Sequence, residues 1–301
     1  MTLTDLVNLY STDETCRILL KKLRWPFGVE CIRCKSKDVF EIESQKKFEC
    51  KECGYQFSVT TQTIFHDSHL PLETWFLAVL LLCEAKKGMS ALQLKRTLFG
   101  LHKGSYKTAW YLCHRIRAAM READKPMLDG KIEMDETYVG GKTKGQGFIG
   151  RNNNKEVVIG IRQRNGELRL FHASDVKAGT LAQYIRENVS EDVDVIITDD
   201  FMSYPFAMKR AGVEAAKHKT INHSGHVYVM GDIHTNTVES AFSLLKRGII
   251  GTRHRVSAKH LAAYLEEMSF RFNRRKRPDL FIDTLRHMIT ANPLTFEKLT
   301  A

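Results

Sequence analysis

No stretch of this chain stays apolar for longer than nine residues, the run from Trp75 to Cys83. A helix that crosses a bilayer needs about 20, so no membrane span is expected. No charged leader followed by a long apolar segment opens the sequence, so secretion is not expected. There is no fixed-period repeat and no low-complexity tract. Acids are the scarcer charge: 35 Asp and Glu against 46 Lys and Arg leave a formal net charge of +11 and a pI near 9.3. That excess favours a polyanionic partner. Cysteine is sparse, seven in 301 residues, and four of them form two tight pairs. In a protein that is not secreted, such pairs point to metal rather than disulfides. What is present, 43% hydrophobic and 27% charged residues, describes a soluble, multidomain, cytoplasmic protein.

The paired cysteines read as Cys31-Ile-Arg-Cys34, fifteen residues, then Cys50-Lys-Glu-Cys53. Each Cys-x-x-Cys turn can aim two sulfurs at one ion, and a short hairpin from Val39 to Phe48 brings the two knuckles together. Gly54 follows the second knuckle, where the turn needs a residue tolerant of positive φ. All four sulfurs are used, so a structural zinc is expected at Cys31, Cys34, Cys50 and Cys53. Cys16, Cys83 and Cys113 sit in apolar helical patterns and read as core residues.

From Pro71 the pattern becomes helical. Leu72 to Ala85 is strongly apolar, Ser90-Ala-Leu-Gln93 has capping-box form, and Ser105 can cap a third helix. The third carries Lys107, His114, Arg115, Arg117 and Arg121, so the pair resembles a helix-turn-helix with a basic second helix. Lys103, Lys107 and Arg115 are its candidates for reading bases in a major groove.

After Gly130 the chain changes to α/β. Lys131 to Val139 alternates as a strand, with Ile132 and Met134 on one side and Glu133, Asp135 and Thr137 on the other. Glu156 to Gln163 and Leu168 to Ser174 flank the hairpin signal Asn165-Gly166. Lys177 to Asn188 is an amphipathic helix, and Val193 to Thr198 a buried strand ending at Asp199 and Asp200. Three antiparallel strands, a helix and a buried strand ending in Asp is the order of a ribonuclease H-like fold. Asp135 and Asp199 would meet there on neighbouring strands. A later helix, His234 to Arg247, offers Glu239 on a polar stripe with Asn236, Ser243 and Lys246. Convergent carboxylates suit magnesium or manganese and phosphoryl transfer. Other roles stay open on spacing alone: Asp135 as a solvated strand residue, Asp199 or Asp200 as a helix cap, and Glu239 in a capping box with Asn236.

Met134-Asp-Glu-Thr-Tyr-Val-Gly-Gly-Lys142, Ile197-Thr-Asp199, and Gly231-Asp-Ile-His-Thr-Asn-Thr-Val-Glu239 through Leu244-Leu-Lys-Arg-Gly248 resemble the signature blocks of ISXO-type insertion-sequence transposases, to which the eukaryotic Merlin transposases are related. Thr63-Ile-Phe-His66, Leu70 to Phe76, Lys107 to Trp110 and His114 to Arg117 are similar to the segments that follow the family's zinc ribbon. The resemblance implies a DDE transposase with Asp135, Asp199 and Glu239 as ligands of catalytic Mg2+ or Mn2+. It would cut insertion-sequence ends and join the 3′ ends to target DNA by two-metal phosphoryl transfer. His234 and Asn236 could orient a phosphate or water, or only start the helix; Lys246 and Arg247 could hold the DNA backbone. The chain departs from the family after the glutamate, where Ser240-Ala241-Phe242 replaces a small-plus-aromatic pair.

The expected layout is an N-terminal helix and zinc ribbon over 1–60, a helical DNA-binding region over 61–125, and a ribonuclease H-like catalytic domain with basic C-terminal helices over 126–301. Lys246 to Arg277 holds ten Lys and Arg against two acids, a stripe in which Arg274, Arg275 and Lys276 would neutralise DNA phosphates. The expected partners are double-stranded DNA, as transposon end and target, and further copies of the chain, because two ends need two active sites in one assembly. The bacterial nucleoid would be its place, or the nucleus in a eukaryote. The competing function is a catalytically inactive, transposase-derived zinc-ribbon regulator; a ribonuclease H or structure-selective nuclease is a third.

Overall fold

The computed structural model describes residues 1–122, 124–140, 155–221 and 232–301. Gly141 and Lys142 of the first signature block and Gly231 of the third lie outside these residues. The chain divides into two compact units, one made of residues 1–121 with 275–301 and the other of residues 122–274.

The first unit opens with helices α1 (Leu3–Leu9) and α2 (Asp13–Arg24), each started by a threonine whose hydroxyl accepts from a backbone N–H in the first turn. Strands β1 (Val39–Ile42), β2 (Lys47–Cys50) and β3 (Gln56–Phe57) form an antiparallel ribbon in that order. Trp25, Phe48 and Phe57 pack edge-on or tilted beneath it, with ring centroids 5.6 to 5.8 Å apart. Helices α3 (Leu72–Glu84), α4 (Ala91–Phe99) and α5 (Tyr106–Ala119) follow. Ser90 and Ser105 cap α4 and α5, accepting from Gln93 N–H at 3.2 Å and Thr108 N–H at 3.0 Å.

The second unit is built on a five-stranded sheet of β4 (Lys131–Val139), β5 (Glu156–Gln163), β6 (Leu168–Ala173), β7 (Val195–Asp199) and β8 (His218–Ile221). Their order is β6-β5-β4-β7-β8: β4, β5 and β6 pair antiparallel, whereas β7 and β8 run parallel to β4 and to each other. Parallel pairs require crossovers, here α6 (Ala178–Asn188) between β6 and β7 and α7 (Ser203–Ala211) between β7 and β8. One face of the sheet packs Ile132, Met134, Ile161 and Ile196 against Leu181 and Ile185 of α6 and Tyr204 and Met208 of α7. The other face packs Val158, Leu168 and Leu170 against Val238, Phe242 and Leu245 of α8 (Asn236–Gly248) and Leu261 and Leu265 of α9 (Ala258–Arg274). Alternation on β4 therefore feeds two cores, one on each side.

The last helices, α10 (Leu280–Thr290) and α11 (Phe296–Thr300), belong to the first unit. The expected run of the catalytic region through 301 is corrected by this: Phe281 packs edge-on against Phe76 at 5.6 Å, Thr284 contacts Cys83 Sγ at 3.3 Å, and Tyr111 donates to Leu294 O at 2.6 Å. The apolar face of α10 is satisfied by α2 and α3.

Candidate active site

At the C-terminal end of β7, Asp199 meets the middle of β4. Ligand oxygens of Asp135, Glu136 and Asp199 all lie within 4.8 Å of one another. The parallel register, Ile132 beside Ile196 and Glu133 beside Ile197, brings these strand ends together. Asp199 Oδ1 accepts from Phe201 N–H at 3.1 Å, which fixes the turn into α7. Asp200 is exposed and outside the cluster.

Glu136 is the member that alternation hid. It faces opposite to Asp135 along β4, and its Oε2 accepts from the buried Tyr204 hydroxyl at 2.7 Å. A Tyr after a strand-terminal Asp is weak evidence by itself, so only the fold exposes the pairing. Burial and the neighbouring Glu136 and Asp135 charges push the Tyr204 hydroxyl well above its usual pKa, so it stays a donor.

Glu239 lies on α8, above the β4 face that carries Asp135, and it is outside the three-carboxylate cluster. Its Oε1 accepts from the Thr235 hydroxyl at 2.7 Å. The expected box with Asn236 is replaced by Thr235, which stands at the N-cap. The close approach of α8 to the sheet requires Gly160, the β5 residue opposite Asp135. A Cβ there would sit 2.7 Å from Phe242 Cζ and 2.8 Å from Val238 Cγ2. The Ser240-Ala241-Phe242 departure is thus a packing feature, with Ala241 and Phe242 in the core and Ser240 exposed.

Electrostatics mark the site. Burial first, then the charges of Glu136, Asp199 and Glu239, raise the Asp135 carboxyl to about 8. Burial also raises Glu136. Carboxylates crowded this way carry their charge poorly alone and well beside a cation, so the donor set fits a hard divalent ion.

The ribbon gathers the four cysteines. Their Sγ atoms lie within 4.8 Å of one another, with Cys31 to Cys53 at 3.6 Å and Cys34 to Cys50 at 3.5 Å. Tetrahedral zinc with Zn–S near 2.3 Å sets sulfurs about 3.8 Å apart, so the set fits zinc. Gly54 holds φ at +66° behind the second knuckle. Cys16, Cys83 and Cys113 are buried, and burial pushes the Cys16 thiol to about 12.

The basic candidates separate. Lys103 and Lys107 are exposed, Lys107 with its Nζ 4.2 Å from the Phe296 ring centre. Lys246, Arg247 and Arg275 are exposed. Arg115, expected among the base-reading residues, is instead buried: it is 5% exposed, donates to His66 O at 2.5 Å, and lies over the Trp75 and Tyr111 rings. His114 and Arg117 of the same helix are also buried. Arg274 likewise leaves the phosphate stripe, since it is 7% exposed and ion-paired to Glu122. Arg253 and Arg271 converge on buried Glu267 at 2.8 and 3.1 Å. These guanidiniums offset buried carboxylates and carbonyls, a use that charge counting cannot distinguish from phosphate binding. Arg115→Gln should therefore lower folding stability by about 2–3 kcal/mol and leave DNA sequence preference unchanged, as chemical denaturation and a binding-site selection would read.

Residues 11–56 match the transposase zinc-ribbon domain, and residues 127–273 match the ISXO2-like transposase domain, one of the IS1595 group. A protein in transposable element ISH50 of Halobacterium salinarum is 27% identical over 285 residues, covering 88% of this chain and 92% of that protein. Among solved structures, an intasome of simian T-cell lymphotropic virus in complex with the PP2A regulatory subunit B56 gamma matches at 14% identity, 65% of each chain and a TM-score of 0.30. That likeness is too weak to bear on fold or function. No helix among the described residues is long and apolar enough to cross a membrane.

Proposed function

We propose that this chain, which carries an ISXO2-like transposase domain and a transposase zinc ribbon, cuts DNA at insertion-sequence ends and joins the freed 3′ ends to target DNA. The observation that carries the reading is the meeting of Asp135 and Asp199 at one sheet position, with Glu136 beside them and the Asp135 carboxyl raised to about 8. The strand order β6-β5-β4-β7-β8 supports reading the sheet as ribonuclease H-like.

In this reading Asp135, Asp199 and Glu239 hold the catalytic cations, Mg2+ or Mn2+. A divalent cation there supplies neutralisation of the charge that develops on phosphoryl oxygens. The protein does the positioning. Asp199 is held by the Phe201 N–H and Glu136 by Tyr204, so neither carboxylate must reorganise when a cation is bound. Lys246 and Arg247, exposed on the same helix as Glu239, neutralise the DNA backbone near that phosphate. Arg275 and Lys276 add phosphate contacts, and Lys103 and Lys107, in the same unit as those two, contact the element end. The four ribbon cysteines hold a structural zinc. Two ends need two active sites, so copies of the chain assemble on double-stranded DNA.

Strand cleavage of a duplex carrying the DNA that flanks this gene tests the reading. With magnesium, the wild-type chain should nick at the element end, and Asp199→Asn should not, whereas Asp200→Asn should retain activity. Tight binding without nicking by any of the three would establish the regulator instead.

A further inference from the structure

Glu133 is 0% exposed and faces the same side of β4 as Asp135, two residues earlier. Its Oε2 accepts from Thr237 N–H at 2.9 Å, Thr237 Oγ1 at 2.7 Å and Val238 N–H at 3.1 Å. Those donors lie in the first turn of α8, one and two residues before Glu239. Its Oε1 accepts from Arg164 Nε at 2.7 Å, with His234 Nδ1 at 3.4 Å. Arg164 continues the clamp by donating to Asp232 O at 2.6 Å and His234 O at 3.0 Å. One carboxylate thus ties together β4, the loop entering α8 and the N-terminus of α8 itself.

We infer that Glu133 is a positioning residue, a buried clamp that docks the N-terminus of α8 on β4 and so sets the place of Glu239 relative to Asp135. The inference rests on the reading of Asp135, Asp199 and Glu239 as the cation site. Thr235, at the N-cap, makes its side-chain bond to Glu239 rather than to a backbone N–H of the first turn. The free N–H groups of that turn are met from the sheet instead, by a negative charge at the positive end of the helix. Only a carboxylate suits both sides of the clamp. A glutamine has one accepting oxygen and one donating NH2, so it satisfies either the α8 N–H groups or Arg164 but sets a donor against the other. The separation of Glu239 from the three-carboxylate cluster makes this placement matter, because α8 alone determines how far Glu239 must travel to share a cation.

Binding of Mn2+ to the full-length, zinc-loaded protein, followed by calorimetry, tests the clamp without requiring turnover. Asp135→Asn should abolish binding and Glu239→Gln should weaken it. Glu133→Gln should weaken it about 10- to 100-fold, the range for a residue that orients a metal ligand. The double variant should bind no more weakly than Glu239→Gln alone, because the clamp acts through that side chain. Thr237→Val, which removes one donor and spares the N–H, should weaken binding in the same direction by a smaller factor. It carries the test if Glu133→Gln does not fold, as judged by circular dichroism. Unchanged affinity in Asp135→Asn overturns the cation site itself, and unchanged affinity in Glu239→Gln overturns its third carboxylate and the clamp together. Loss in Glu239→Gln with wild-type affinity in the clamp variants, or additive losses in the double, overturns the clamp alone.

Discussion

Asp135→Asn should abolish strand cleavage, by at least about 10³-fold, and at the same time raise the melting temperature of the metal-free protein. Both effects come from one cause. Burial, then the Glu136, Asp199 and Glu239 charges, lift the folded-state pKa of Asp135 to about 8, above the ordinary 3.8. A carboxyl raised on folding binds its proton more tightly in the folded chain. Its contribution to stability is complete below about pH 4 and is lost as the pH climbs through about 8. Across that window the wild-type protein should lose roughly a few kcal/mol of stability. Asparagine is neutral and of nearly equal volume, so the variant should show a flatter profile. Magnesium added at about pH 8 should raise the wild-type melting temperature and leave the variant unmoved. Melting curves with and without magnesium at both ends of the window check this. A variant that melts lower than wild type at high pH would mean that the charge serves the strand rather than a cation.

Zinc removal should have the second largest effect. The ribbon strands are four, four and two residues long, too short to stand on pairing alone. Its apolar cluster is little more than Trp25, Phe48 and Phe57. Structural zinc in comparable small modules contributes about 10–16 kcal/mol of apparent binding free energy at neutral pH, far more than such a cluster supplies. Cys31→Ser should reduce bound zinc from one per chain to none and open the ribbon to proteases. Mn2+ binding in the second unit should persist, and affinity for the element end should fall. Zinc content by atomic absorption, with limited proteolysis, reads the outcome. Full zinc content in the variant would exclude the four-thiolate site.

How legible these features were depends on how local their causes are. The zinc knuckles and the β4 strand follow from short-range spacing, and the structure places β4 at Lys131–Val139 as alternation indicates. The meeting of Asp135 with Asp199 follows from strand order. Glu136 could not be found this way, because alternation puts it on the wrong face and only the packing of α7 brings Tyr204 to it. The burial of Arg115 and Arg274 is hidden from sequence for the opposite reason. A guanidinium offsetting a buried carboxylate or carbonyl and one facing a phosphate look identical in sequence, and only burial separates them. The return of α10 to the first unit depends on contacts between residues some 200 positions apart, such as Cys83 with Thr284, which no local pattern encodes.

The most direct test of the whole account is joining. A duplex that already ends in the cut 3′-hydroxyl of the flanking element would be incubated with the zinc-loaded protein, magnesium and a supercoiled plasmid. The account predicts covalent attachment of that 3′ end to plasmid DNA, absent when the end lacks its 3′-hydroxyl and absent with Asp135→Asn. Stable binding of the end with no joined product from the wild-type chain would contradict it.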